Sequence, residues 1–186
     1  MRKLFQYGGI AASIVLIAFG IGAIYMGIDG RGYVRDNLAA EKIVGTEDST
    51  IPGQLVDTGA EAQAFAKVMR EHTLESTGGK TYSEMGRFLD ANGKDTNDEQ
   101  AAAINEQTGK PVENGLRNLW VTETALTTAL NTAYFAEQVA LFATVMGVAM
   151  LLAGLGFGVL TFRALMPAEQ REEGRAKASP SAAVSA

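Results

Sequence analysis

Residues 138–162 read QVALFATVMGVAMLLAGLGFGVLTF, 25 positions without a single charge. At about 1.5 Å of rise per residue a helix of that length reaches ~37 Å, enough to cross a ~30 Å hydrocarbon core with some tilt. A second uncharged stretch of the same length, LFQYGGIAASIVLIAFGIGAIYMGI, occupies residues 4–28. Roughly 100 polar residues separate them, so two apolar segments and a polar middle average to a mean hydropathy near zero, +0.04. The expected fold is all-α. Transmembrane helices at 4–28 and 133–163 flank a small extracytoplasmic helical domain at 29–132. A cytoplasmic tail at 1–3 and a disordered cytoplasmic tail at 164–186 complete the chain, the latter because AKASPSAAVSA has too little apolar surface to bury.

Charge orients the spans. Residues 29–132 carry 10 Lys/Arg against 17 Asp/Glu, a local net of −7, within a chain of net −5. Arg2 and Lys3 precede the first span without an acid, and Arg163, Arg171, Arg175 and Lys177, against Glu169, Glu172 and Glu173, follow the second. Short basic flanks stay cytoplasmic whereas long loops translocate regardless of charge, so both termini are expected inside a cell membrane. The start Met-Arg-Lys also suits a signal peptide, but the apolar run exceeds the usual signal core and residues 26–31 offer no A-x-A cleavage site, which favours an uncleaved anchor. The acidic middle speaks against nucleic acid as a partner, because phosphate repels it. There are no cysteines, which excludes disulfides, Cys-ligated zinc, iron–sulfur clusters and thiol nucleophiles.

Between the spans the pattern is helical. A short helix is expected over 34–44 with Gly45 as its C-cap. A firm amphipathic helix follows over 59–76, with Asp57-Thr58 as N-cap, Leu55 or Val56 as staple, and Phe65, Val68, Met69 and Leu74 on one face. Gly78-Gly79 ends it. Thr81–Glu84 and Thr96–Glu99 each match the S/T-x-x-E capping box and predict short helices to Leu89 and to about Ile104, separated by an Asn92-Gly93 turn. After a hairpin-like loop at 107–111, one unbroken helix is expected from about Glu113 to about Leu165, some 75 Å long. Leu116, Leu119, Trp120, Leu126 and Leu130 form its apolar stripe, and Tyr134 and Phe135 suit the outer bilayer surface, as Tyr7 and Tyr25 suit the ends of the first span.

Small residues recur through both spans: Ser13, Gly20 and Gly27 at intervals of seven, Ala18-x-x-x-Gly22, Ala143-x-x-x-Gly147 and Gly154-x-x-x-Gly158. In lipid such residues let backbones approach closely. They are the candidate packing positions, either between the two spans or with another chain. Glu137 sits 26 residues before Arg163, ~39 Å along a helix, which places it at headgroup level rather than in a proton path. No charge lies deeper, which disfavours pumps and charged-ring channels. His72 is the only histidine and cannot build a two-His-one-carboxylate or His-rich metal site. Asp95, Asn97, Asp98 and Glu99 look faintly like a calcium loop but lack its spacing and central glycine. There is no G-x-S-x-G elbow and no phosphate-binding glycine loop; Gly154-x-Gly156-x-Gly158 lies inside a bilayer helix.

The stretches YSEMGRFL (82–89) and WVTETALTTALN (120–131) resemble a family of small two-span membrane proteins from actinobacteria, over roughly residues 1–165. Members of that family often bear the label of aromatic ring-opening dioxygenase, which implies non-haem iron held by histidines and a carboxylate. One histidine cannot supply those ligands. The resulting expectation is a non-enzymatic membrane protein without cofactor, catalytic or metal residues. It would be an accessory, scaffold or assembly subunit of the cell envelope, whose partners are the bilayer and a homo-oligomer or larger membrane complex. The alternative is an extracytoplasmic sensor or ligand-binding module that signals through a partner.

Overall fold

The computed structural model describes residues 2–165; the expected tail lies outside the described residues from position 166 onward. The chain is mostly helical. Helix α1 spans Arg2–Ala40, α2 Gly59–Ser76 and α3 Gly115–Leu165, with a 3-10 turn at Tyr82–Glu84 and two short strands, β1 Phe88–Leu89 and β2 Asp95–Thr96. Helices α1 and α3 are long and apolar enough to cross a membrane, and only 11% and 17% of their most apolar windows is buried. The core helix of a soluble protein would be mostly covered, whereas here Phe19, Ile28, Phe142, Leu152 and Phe162 stand out at more than 60% exposure. Contacts divide the described residues into two compact units, one of 2–28 with 141–165 and one of Asp29–Ala140.

In the terminal unit the two helices run antiparallel along a seam of small residues. Ser13, Gly20 and Gly27 are buried on α1, as are Gly147 and Gly154 on α3, while Ala143 and Gly158 are half-buried. Repeats of three and four residues keep one face inward, the spacing of a left-handed coiled coil. Glycine is required at the crossing: a Cβ on Gly20 would stand 2.7 Å from the Gly147 carbonyl oxygen, and one on Gly147 would stand 2.7 Å from the Gly20 oxygen.

The central unit is a three-helix core capped by stapled loops. Leu38 of α1, Phe65 and Ala66 of α2 and Leu130 of α3 close around Ile51, Val56 and Ala62. Helix α2 starts as its sequence predicts. Thr58 caps it, its Oγ1 accepts from the Glu61 N–H at 3.3 Å, and the Glu61 carboxylate accepts from the Thr58 N–H at 2.9 Å. Val56, wholly buried, fills the staple position, while Leu55 stays exposed. At the other end the Gly79 N–H reaches the Leu74 carbonyl and the Gly78 N–H that of Glu75, the paired bonds of a Schellman cap, with Gly78 at φ 62°.

Three local expectations are corrected. The helix expected at 34–44 is the C-terminal end of α1, which passes through Gly30 and Gly32 unbroken to Ala40. Two glycines cost about 1 kcal/mol each in a helix, too little to break one held by packing. Lys42, not Gly45, takes the left-handed conformation after it (φ 54°), and Gly45 is needed because any Cβ there would collide with the Ile51 carbonyl. The helices expected after Thr81 and Thr96 do not form. The first stops after one 3-10 turn; the second gives way to β2 and to isolated bridges Asp90↔Ala102 and Ile104↔Pro111. The unit therefore contains a small antiparallel sheet, Phe88 opposite Thr96 and Leu89 opposite Asp95, that an all-α reading omits.

Candidate functional site

The predicted packing residues fall on two faces. Gly154 meets Ile17 and Leu16, and the Gly158 position faces the Ser13 hydroxyl, which donates to the Gly154 carbonyl oxygen at 2.7 Å. Ala18 and Gly22 point elsewhere: both are exposed, and nothing lies within 4 Å of a Cβ on Gly22.

Glu137 has a role its sequence position did not reveal. Its Oε2 accepts from the Gly59 N–H at 2.6 Å, at the first residue of α2, and its Oε1 accepts from Arg31 at 3.1 Å. The side chain is 16% exposed, against 52% for Arg31. One carboxylate on α3 thus neutralises the positive end of α2 and pairs with α1. The approach is close, for a Cβ on Gly59 would stand 2.8 Å from the Tyr134 Cα. One turn along α1, Arg35 pairs with Asp57 at 3.0 Å. The only sequence signal was the glycine at the first position of a helix. Beside this anchor, Val34, Leu38, Ile43, Leu126, Leu130 and Ala133 line an apolar groove of about 490 Å³.

At the far end of the unit, Asn114 organises the loops. It is buried; its N–H donates to the Arg87 carbonyl at 2.9 Å, its Nδ2 to the Gly86 carbonyl at 3.0 Å, and its Oδ1 accepts from the Leu116 N–H. Trp120 Nε1 donates to the Lys80 carbonyl at 2.9 Å, with Arg70 5.1 Å over its ring. The loop that faintly resembled a calcium site uses its oxygens internally. Asp95 accepts from the Gly86 N–H at 2.7 Å and from Lys80 at 3.2 Å; chiefly that backbone bond holds its carboxyl below the usual range. Asn97 accepts from the Arg87 N–H, and Asp98 from the Gln100 N–H. Among the described residues no three His, Asp or Glu side chains gather as a metal-binding group.

His72 bonds to Asp48 across 2.5 Å at an exposed edge of α2. That bond, ahead of the Thr46 hydroxyl, holds the Asp48 carboxyl down at about 2, and it also raises the imidazole above its ordinary value. Glu123 lies buried on α3; Thr124 donates to its Oε2, but its Oε1 has no hydrogen-bond partner among the described residues.

The arrangement can hold loops at a fixed position and can offer surfaces. No family model, curated protein or solved structure matches the chain.

Proposed function

We propose that the chain is a non-enzymatic integral membrane protein, an accessory, scaffold or assembly subunit of the cell envelope. Both termini would be cytoplasmic and the central unit would lie outside. The seam carries this reading. The small faces of α1 and α3 are consumed against each other, and bulky apolar side chains point outward. Such a pair is an anchor rather than a conduit, since residues 4–28 and 138–162 place no charged side chain in it. Basic flanks and the acidic middle support the orientation. The central unit then serves as a platform tied at its base by Glu137. Ala18 and Gly22, turned away from α3, remain for a second copy or a larger membrane complex.

The absence of cysteine makes the test direct. G22C should form an inter-chain disulfide in native membranes whereas F157C should not, and a strictly monomeric protein with no crosslinked neighbour counts against the reading. N92C, in an exposed turn, should react with a membrane-impermeant maleimide on intact cells; labelling only after lysis reverses the orientation. The alternative, a ligand-binding module that signals through a partner, is favoured by one observation, a cleft lined by two arginines.

A further inference from the structure

Residues 81–121 bring two guanidiniums to one small cleft, and neither forms an ion pair among the described residues. The cleft encloses about 180 Å³, and Tyr82, Arg87, Glu113, Asn114, Arg117 and Asn118 contribute to its lining. Ion pairs among the described residues involve Arg31, Arg35, His72 and Lys80, and not Arg87 or Arg117, although Glu113 shares their cleft. Instead each is stacked, Arg117 at 4.0 Å over the Tyr82 ring and Arg87 at 5.4 Å over Phe88. Stacking occupies the flat face of a guanidinium and leaves its in-plane N–H donors unspent. It also fixes the side chains before any ligand arrives, so little rotamer freedom remains to be lost. Asn114 holds the two together, because it starts α3 three residues before Arg117 and bonds to the carbonyls of Gly86 and Arg87.

We propose that this cleft binds a small soluble oxyanion group, a phosphate or a carboxylate. Two cations that line one cleft without an ion-pair partner outnumber its single carboxylate, Glu113, and suit a forked anion, which can accept paired N–H bonds. The volume is below the ~300 Å³ at which whole small-molecule pockets begin, so the cleft suits one charged group rather than a large ligand. Glu113 on the rim opposes the anion and sets a modest affinity. The start of α3 adds partial positive charge, but the N–H groups of Leu116 and Arg117 are already spent on Asn114. Arg117 lies 20 residues from Glu137, ~30 Å along α3, which on the membrane-spanning reading puts the cleft beyond the headgroups of its own bilayer. The inference needs no partner protein and stands apart from the scaffold reading.

The test uses the full chain in neutral-lipid nanodiscs, titrated calorimetrically with inorganic phosphate and with citrate at ionic strength held constant by chloride. Saturable binding of either anion is expected. R87Q and R117Q should each weaken it about tenfold or more, the loss of one charge-assisted hydrogen bond. E113Q should tighten it. Circular dichroism and Trp120 fluorescence check that the variants fold; should an arginine variant fail to, E113Q alone still decides. The proposal is overturned by an absence of saturable binding, by arginine variants that bind like the parent, by weaker binding in E113Q, or by binding to phosphatidylglycerol vesicles with both free anions inert.

Discussion

Replacing Glu137 separates two ways in which one carboxylate could matter. If it acts chiefly by capping α2, the Gly59 N–H bond dominates; if it acts as an ion pair, Arg31 dominates. The geometry favours the cap. The Gly59 bond is 2.6 Å and lies on the sheltered side, whereas Arg31 is 52% exposed and its pairing is weakened by water and salt. Losing a charge-assisted bond at a helix start costs about 1–2 kcal/mol, and losing a half-exposed ion pair costs less than about 1. E137A should therefore destabilise the central unit by about 2 kcal/mol. E137Q, which keeps an acceptor for Gly59, should cost about 1 kcal/mol, and R31Q still less. For a unit of this size about 4 °C of melting temperature accompanies each kcal/mol, so E137A should melt ~8 °C below the parent. Trp120, the only tryptophan, is buried in the central unit and reports its unfolding. An R31Q variant that melts as low as E137A would refute the capping argument. A neutral E137A would refute the anchor altogether.

Three further outcomes concern the seam, the His72–Asp48 bond and Glu123. G147V should force the spans apart, because its branched side chain meets the Gly20 carbonyl and the Ile24 backbone; a disulfide engineered between S13C and G158C should form readily in the parent background and poorly in G147V. The single imidazole should titrate above 6.5 and fall towards that value in D48N, with an unchanged titration counting against the His72–Asp48 bond. Because Asp48 is lowered and His72 raised, their tie is fully present between roughly pH 4 and 6.5. It is lost as pH falls towards about 2, and again as pH rises through the histidine's raised value. E123M should raise the melting temperature of the central unit by a few degrees, since a buried carboxylate oxygen without a partner gives way to apolar contact; a lower melting temperature would reveal a partner for that oxygen.

Long periodic segments were legible in the sequence. Helix α3 matches its expected bounds to within about two residues at its start, and α2 was foreseen with its cap, its staple and its glycine stop, because each of those signals is local. The two short helices expected within residues 81–114, after Thr81 and Thr96, do not form, for an equally physical reason, whereas the Asn92-Gly93 turn and the hairpin-like loop at 107–111 do. A capping box starts a helix only if a dozen or so residues can follow, since short helices are marginal in water. Gly86, Gly93, Gly109 and Pro111 punctuate that stretch too often, so Glu84 closes a single turn, its carboxylate taking the N–H and the hydroxyl of Thr81 at 2.7 Å. The roles of Glu137, Asn114 and the two stacked arginines were not visible. Glu137 and Asn114 depend on partners as far as 106 and 28 positions away, and Arg87, though stacked on its neighbour Phe88, shares a cleft with Arg117 only through the fold; no spacing rule links Arg31 to Glu137 or Gly86 to Asn114.

A seam that repeats every seven residues has a weakness of alignment. Sliding α1 by one repeat, ~10 Å, would again set glycine against small residues, because Gly20 and Gly27 look alike to the facing helix. Ser13 is the only hydroxyl along that face of α1, and its bond to the Gly154 carbonyl distinguishes one setting from the next. Its worth then lies less in stability than in uniqueness: S13A should leave the spans paired while letting the pair slip between neighbouring settings.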